Sequence, residues 1–100
     1  MAREVVWADC AWQDLEQAAD YIARDSPSYA GTLIRLAREA ARSLREMSER
    51  GRVVPELEDS QIRELFVARY RLIYRVEADR VQILAFVHGA RDFLAFWDGQ

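Results

Sequence analysis

The apolar pattern between residues 61 and 93 predicts three short strands joined by tight turns. The middle strand, residues 70–77, is rich in tyrosine, isoleucine and valine, which favour β-structure. Polar residues 77–80 then interrupt the pattern, as a hairpin turn requires. Residues 81–87 are apolar at almost every position. Such a run is typical of a central strand in a covered sheet, or of a strand that still lacks a partner on one face.

The first half of the chain predicts one strand followed by two helices. Residues 4–8 form a short apolar run, and residues 11–24 carry apolar side chains at helical spacing. Ser26 and Pro27 are a typical cap and first position of a new helix, which the spacing extends to about Arg50. Gly51 is then expected to end that helix in a left-handed conformation. Because the connection is very short, the two helices should form an antiparallel hairpin.

These elements predict an α+β domain with the helical hairpin on one face of a mainly antiparallel sheet. The pattern of the middle strand assigns Tyr70, Leu72, Tyr74 and Val76 to the covered face, and Arg71, Ile73, Arg75 and Glu77 to the other. We therefore expect the arginines of this strand on an open face, with Arg91 near its rim. They would form either a charged outer surface or a binding site.

Composition narrows the class of protein. One hundred residues make a single domain, residues 1–100, and the net charge of −3 weighs against direct nucleic-acid binding. A single cysteine, the absence of a signal-peptide pattern and the absence of a long apolar run favour the cytoplasm and no membrane contact. One histidine and one cysteine make a metal site improbable, and no motif predicts a cofactor.

The second predicted helix carries a stripe of arginines at helical spacing, namely Arg35, Arg38, Arg42 and Arg45. A nucleic-acid surface or a surface for an acidic partner is one interpretation. The interpretation favoured by the sequence is a solvated face, because Glu39, Glu46 and Glu49 lie three or four residues away and can pair with these arginines.

Four segments together resemble one protein family. They are "DLEQAADYIA" at residues 14–23, "RYRLIYRV" at 69–76, "RVQIL" at 80–84 and "VHGARD" at 87–92. Their order and spacing, over residues 4–93, resemble the RelE/ParE superfamily of type II toxins, and the first segment is similar to the ParE branch. The resemblance implies a β-α-α-β-β-β fold with a four-stranded sheet, a cognate antitoxin and growth arrest. RelE-like members cleave messenger RNA on the ribosome, whereas ParE-like members poison DNA gyrase.

The two branches make different demands on the residues. Arg71 and Arg91 match the arginines that RelE-like nucleases use against phosphate charge. In the tail, residues 92–100, the aromatic side chains of residues 93–97 carry no hydroxyl, so they cannot transfer a proton. His88 could act as an acid or base, although a capping or packing role is expected more often.

We therefore expect a ParE-like toxin that binds DNA gyrase and has no catalytic residue of its own. The alternatives are a RelE-like ribosome-dependent mRNA endoribonuclease, or an inactive toxin relative that acts as a binding module. The residues expected to bind the target or the antitoxin are Arg71, Arg75, His88, Arg91, Phe93, Phe96 and Trp97. Because two helices can cover only one face of the sheet, the antitoxin is expected to cover the second face and the tail.

Overall fold

The computed structural model describes residues 2–99 and contains one mixed five-stranded sheet with three helices. In chain order the elements are β1 (Glu4–Trp7), α1 (Asp9–Ala23), α2 (Pro27–Ser43), β2 (Arg52–Val53), β3 (Ile62–Val67), β4 (Tyr70–Val76), β5 (Arg80–His88) and α3 (Phe93–Asp98). The strand order is β1-β5-β4-β3-β2. The α+β class and the strand-helix-helix-strand order are confirmed. The sheet has one strand more than predicted, because β2 is only two residues long and leaves no periodic signal.

The sheet is antiparallel except at one edge, where β1 runs parallel to β5. Glu4 faces Arg80, and Trp7 faces Ile83. The register between β4 and β5 slips by one residue, because Ile73 faces Ala85 whereas Tyr74 faces Ile83. Leu84 is therefore an extra residue in β5, a β-bulge.

This bulge explains why β5 is apolar at almost every position. Before it, Val81 and Ile83 point toward the helices, and after it Phe86 does so, because the inserted residue reverses the alternation. Ala85 and Val87 consequently face the opposite side of the sheet. Both faces of β5 are covered, so it is a central strand and does not lack a partner on either face.

The two long helices cover one face of the sheet, as predicted. Ser26 caps α2 by accepting a hydrogen bond from the Tyr29 backbone N–H at 3.2 Å, and Pro27 occupies the first turn. The apolar stripes of α1 and α2 then pack on β4 and β5. Fully buried residues of this main core include Leu15, Leu33, Leu44, Leu72, Tyr74 and Ile83.

Helix α2 ends at Ser43, seven residues before the predicted end. The chain turns because Leu44 is buried while Ser48 donates a hydrogen bond from its hydroxyl to the Leu44 carbonyl at 2.7 Å. Gly51 is not left-handed, contrary to the prediction. It is required for close approach instead, since a Cβ atom there would lie 2.6 Å from the Tyr74 hydroxyl.

The second face of the sheet is also covered, and here the prediction of an open face is wrong. The chain after β2 and helix α3 fold over it and form a second core, which contains Val54, Ile62, Ile73, Ala85, Val87, Phe93 and Phe96. The tail folds back because Asp92 caps α3 by accepting a hydrogen bond from the Ala95 backbone N–H at 3.2 Å. Within residues 2–99, no helix is both long and apolar enough to cross a membrane.

Candidate functional site

Arg71 lies at the centre of an ion-pair cluster on the second face of the sheet, beneath the chain after β2 and helix α3. Its side chain is only 6 % exposed, and the carboxylate of Glu64 beneath it is fully buried. The Arg71 Nε donates to Glu64 Oε1 at 2.5 Å. The two terminal nitrogens of Arg71 donate to the two oxygens of Glu56 at 2.9 and 2.7 Å, which is a bidentate pair.

The remaining sides of this cluster are closed by Arg52 and Phe93. The Arg52 Nε donates to the second oxygen of Glu64 at 2.5 Å, and the Phe93 ring lies 4.4 Å from the centre of the Arg71 guanidinium. The hydrogen bonds that Arg71 donates to the Glu56 carboxylate lower the pKa of Glu56 and raise the pKa of Arg71. Two arginines and two glutamates thus form a neutral group, which we call the Arg71 cluster.

Arg71 is therefore not on an open face, contrary to the prediction from alternation. Arg75, two residues further on the same strand, is 40 % exposed and lies 3.8 Å from Asp59. Arg91 lies over the Phe96 ring at 4.7 Å. Each of the three arginines therefore contacts a different partner. Residues 54–59 and α3 occupy the face of the sheet that was expected to be open.

Arg91 instead shares a groove of about 200 Å³ with His88 and Phe96, at the edge between β5 and α1. The backbone N–H of Ala90 donates to Nδ1 of His88 at 3.1 Å. The His88 ring contacts Tyr70 edge-on, with the ring centroids 5.2 Å apart. We call this the His88 groove; it brings together three of the predicted site residues.

Tyr70 and Asp14 complete the His88 groove, and the sequence did not single out either as functional. Tyr70 stacks on Phe86 at 4.8 Å, and burial raises the pKa of its hydroxyl. Asp14 accepts a hydrogen bond from the Phe86 backbone N–H at 3.2 Å, beside the bulge. Burial raises the pKa of Asp14, although this hydrogen bond and the charge of Arg91 oppose the shift.

The aromatic residues of the tail do not form one exposed patch. Phe93 and Phe96 are buried in the second core, whereas Trp97 is partly exposed and stacks on Phe93 at 5.5 Å. Leu94 is 47 % exposed on the outer side of α3. Among residues 2–99, no three histidine, cysteine, aspartate or glutamate side chains lie close enough together to hold a metal ion.

The match to a family model decides which family this fold represents. Residues 5–93 match the model described as "ParE toxin of type II toxin-antitoxin system, parDE". The chain belongs to the ParE toxin family. The resemblance to the RelE/ParE superfamily that the sequence motifs suggested is thereby confirmed.

Two known proteins are similar to this ParE-family chain. The chain is 38 % identical over 89 residues to "Toxin RelE2" of Caulobacter vibrioides, and the alignment covers 88 % of this chain and 97 % of that protein. Its fold is similar to a solved structure, "Chromosomal ParDE TA system from P. aeruginosa", with a TM-score of 0.71. That comparison covers 87 % of this chain and 96 % of the other at 22 % identity, so it shows the fold alone.

Proposed function

We propose that this chain is the toxin of a type II toxin–antitoxin pair that arrests growth by binding DNA gyrase, without catalysing a reaction itself. A cognate antitoxin protein neutralises it. The observation that carries the proposal is that the Arg71 guanidinium is hydrogen-bonded to two glutamates. This residue matches the strand arginine that RelE-like nucleases use, yet here its guanidinium is engaged by Glu56 and Glu64.

The Arg71 cluster is a poor site for a phosphate group. A phosphate could reach Arg71 only by displacing the bidentate bond from Glu56, whose side chain is 32 % exposed and would repel it. Because the cluster is neutral as a whole, it offers no net attraction for RNA. The chain itself has a net charge of −3, which gives no long-range attraction to a ribosome.

The His88 groove and the outer side of α3 are better suited than the Arg71 cluster to bind a target, and the target they suit is a protein. Arg91, His88 and Trp97 are at least partly exposed there, and arginine and tryptophan are frequent anchors of protein–protein contacts. The buried ring of Phe93 stacks on Trp97, and the ring of Phe96 lies under Arg91. Arg75 lies on the far side of the Arg71 cluster, and we propose a peripheral contact for it.

One arrangement favours the mRNA endoribonuclease as a second candidate. Tyr70, His88 and Arg91 line the same groove, so it combines a phenol, an imidazole and a guanidinium. Those groups are the types that RNA cleavage requires for proton transfer and charge stabilisation. A relative named "Toxin RelE2" is consistent with this candidate.

The test compares gyrase inhibition with RNA cleavage in the same preparations. We expect the purified chain to inhibit supercoiling by gyrase and to leave translated mRNA uncut in primer extension. Arg91→Glu should weaken supercoiling inhibition about tenfold, as loss of an interface anchor does. The matched control, Arg50→Glu, reverses an exposed arginine that does not line the groove and should have no effect.

Three results contradict the proposal in different ways. Site-specific mRNA cuts that disappear in His88→Ala, with supercoiling untouched, would identify the nuclease. Absence of growth arrest on expression would identify an inactive relative. If a small protein encoded beside this chain is co-expressed and growth arrest persists, the antitoxin partner is contradicted.

A further inference from the structure

A groove of about 510 Å³ lies between β1 and α2. Val5, Trp7 and Ala41 give it apolar walls, and arginines of α2 and of the turn after it line its rim. A second groove of about 400 Å³ shares Arg38 and Arg42 with it, so the two adjoin along α2. Five arginines and two glutamates line them together, which is a net charge of +3 in a chain whose total is −3.

The arginines of the rim come from the stripe on α2, for which the sequence favoured pairing with glutamates. Arg35 does pair with Glu39 at 3.2 Å. Within residues 2–99, however, no carboxylate lies within ion-pair distance of Arg38, Arg42 or Arg45. Because α2 ends early, the two later glutamates of the stripe lie beyond the helix. The prediction is therefore wrong for three of the four arginines.

These three arginines lie close together on the rim. Arg38 and Arg42 are about one helical turn apart, which is about 6 Å along the axis of α2. Arg45 follows in the turn after α2, and this turn is fixed to the start of β1 because the Arg3 backbone N–H donates to the Arg45 carbonyl at 2.9 Å. Closely spaced guanidinium groups favour a ligand that carries several negative charges within a short distance.

The wall of the groove that β1 supplies suits a flat aromatic ring. Trp7 lines the groove and is partly exposed. Its ring packs edge-on with that of Trp12, with the ring centroids 5.4 Å apart. Aromatic side chains bind nucleobases by stacking, whatever the base, because every base has a π-face. The groove thus combines a surface for a base with a cluster of cations.

We propose that this groove binds a nucleoside triphosphate, with the phosphates on Arg38, Arg42 and Arg45 and the base against Trp7. Its volume falls within the range of about 300–1,000 Å³ that is usual for small-molecule sites. The planar fork of arginine matches a phosphate group, which accepts charge-assisted hydrogen bonds from it. This inference goes beyond the proposed function and does not rest on it.

A compact triphosphate fits the groove better than a nucleic-acid strand does. Glu4 and Glu39 also lie in the lining of the two grooves. Like charges repel, so these carboxylates disfavour a phosphate backbone that continues along the groove in both directions. A triphosphate concentrates its charge at one end of the ligand and can avoid them.

The test measures binding to the full chain by calorimetry, with ATP and GTP as probes and with tripolyphosphate and adenosine as the two parts of a nucleotide. We expect both nucleotides to bind saturably, and tripolyphosphate to bind about tenfold more weakly because it lacks a base that can stack. Adenosine, which lacks the phosphates, should show no saturable binding.

Two double variants test the role of the arginines. Arg38→Glu with Arg42→Glu should weaken ATP binding about tenfold or more, since charge-assisted hydrogen bonds are lost. Arg24→Glu with Arg69→Glu makes the same change of charge at exposed arginines that line neither groove, and it should bind ATP as the wild type does.

A further variant tests the base apart from the phosphates. Trp7→Leu keeps an apolar side chain but removes the aromatic face, so ATP should bind only as well as tripolyphosphate does. Its affinity for tripolyphosphate should not change, and a thermal melt checks that the domain is folded. In the wild type, ATP should shift the NMR signal of the Trp7 indole N–H more than tripolyphosphate does, and this measurement needs no variant.

Four outcomes overturn the inference. They are no saturable binding of ATP or GTP at millimolar concentration, equal affinity for ATP and tripolyphosphate, equal weakening in the two double variants, and tighter binding of a single-stranded RNA without a terminal triphosphate. None of these assays contains gyrase. Their failure therefore leaves the proposed function standing, and absence of gyrase inhibition leaves the nucleotide site standing.

Discussion

At the scale of single residues, the buried carboxylate of Glu64 makes Arg71 a structural residue. We predict that Arg71→Ala lowers the free energy of unfolding by about 3–5 kcal/mol, because it leaves a buried charge that only Arg52 can still partner. Arg75→Ala should cost less than about 1 kcal/mol, since the Arg75–Asp59 pair is half-exposed and longer. Urea denaturation of both variants measures the difference.

A double variant checks the cause of that loss. Arg71→Met combined with Glu64→Gln removes both charges, so it should recover a clear part of the stability lost in Arg71→Ala. If Arg71→Ala unfolds at the wild-type urea concentration, the Arg71 cluster is not a structural element, and Arg71 is available for binding after all.

Glu56 should give the protein a pH dependence of stability. Its pKa is lowered below the usual 4.5 in the folded state, chiefly by the hydrogen bonds from Arg71. A lowered carboxyl pKa stabilises the fold above the unfolded-state value, and that stabilisation is lost as pH falls through the folded-state value. Because Glu56 is exposed and solvent screens its pair with Arg71, Glu56→Gln should cost no more than about 1 kcal/mol at pH 7.

The measurement for Glu56 is the difference in unfolding free energy between wild type and Glu56→Gln at several pH values. The difference should be constant above about pH 5.5 and shrink as the pH falls below 4.5. Asp14 is present in both proteins. Its raised pKa changes the stability in the opposite direction, and this contribution cancels in the difference. A difference that grows on acidification would contradict the assigned role.

At the scale of elements, α3 belongs to the folded domain. The sequence predicted that the antitoxin covers the tail, residues 92–100, but Phe93 and Phe96 are 3 % and 8 % exposed in the second core of the chain itself. We predict that Phe93→Ala lowers the free energy of unfolding by about 3–5 kcal/mol. Leu94→Ala, in the same helix turn but 47 % exposed, should change it by less than about 0.5 kcal/mol and is the matched control. Equal effects in the two variants would show that α3 does not stay docked.

The sequence predicted the positions of several elements from the spacing of their apolar side chains. These are β1, α1, β4 and β5, each placed within two or three residues of its observed bounds. It overextended α2, because residues 44–50 keep helical spacing while serine hydroxyls and the contact at Gly51 turn the chain. It missed α3, since a six-residue helix capped by Asp92 is shorter than the window in which periodicity is visible.

The site was harder to predict, because it depends on register. Glu64 faces Ile73 across β3 and β4 and is thus a diagonal neighbour of Arg71. An acidic residue inside a mostly apolar strand was a visible signal, since a buried carboxylate needs a partner. Glu56 gave no such signal, because it reaches Arg71 from a loop whose path follows no periodic pattern.

At the scale of the whole molecule, both faces of the sheet are covered by the chain itself. This changes the expectation that a partner must complete the core. We predict that the protein purified alone unfolds in one cooperative transition and elutes as a monomer of 11.6 kDa in light scattering. The exposed large apolar side chains are spread over α1, α2, the turn after α2, β2, β3 and α3 rather than gathered on one element. Aggregation at micromolar concentration would instead indicate that the second face of the sheet needs a partner protein to cover it.

The parallel pairing of β1 with β5 also has a consequence for the order of events during synthesis. Glu4 meets Arg80, its partner 76 positions later, so β1 has no neighbour until the ribosome has released the last strand of the sheet. The helices can form earlier from local contacts, but the sheet edge that they rest on cannot. A chain interrupted before residue 80 therefore leaves β1 unpaired. Incomplete translation should thus produce fragments that proteases remove rather than a folded domain.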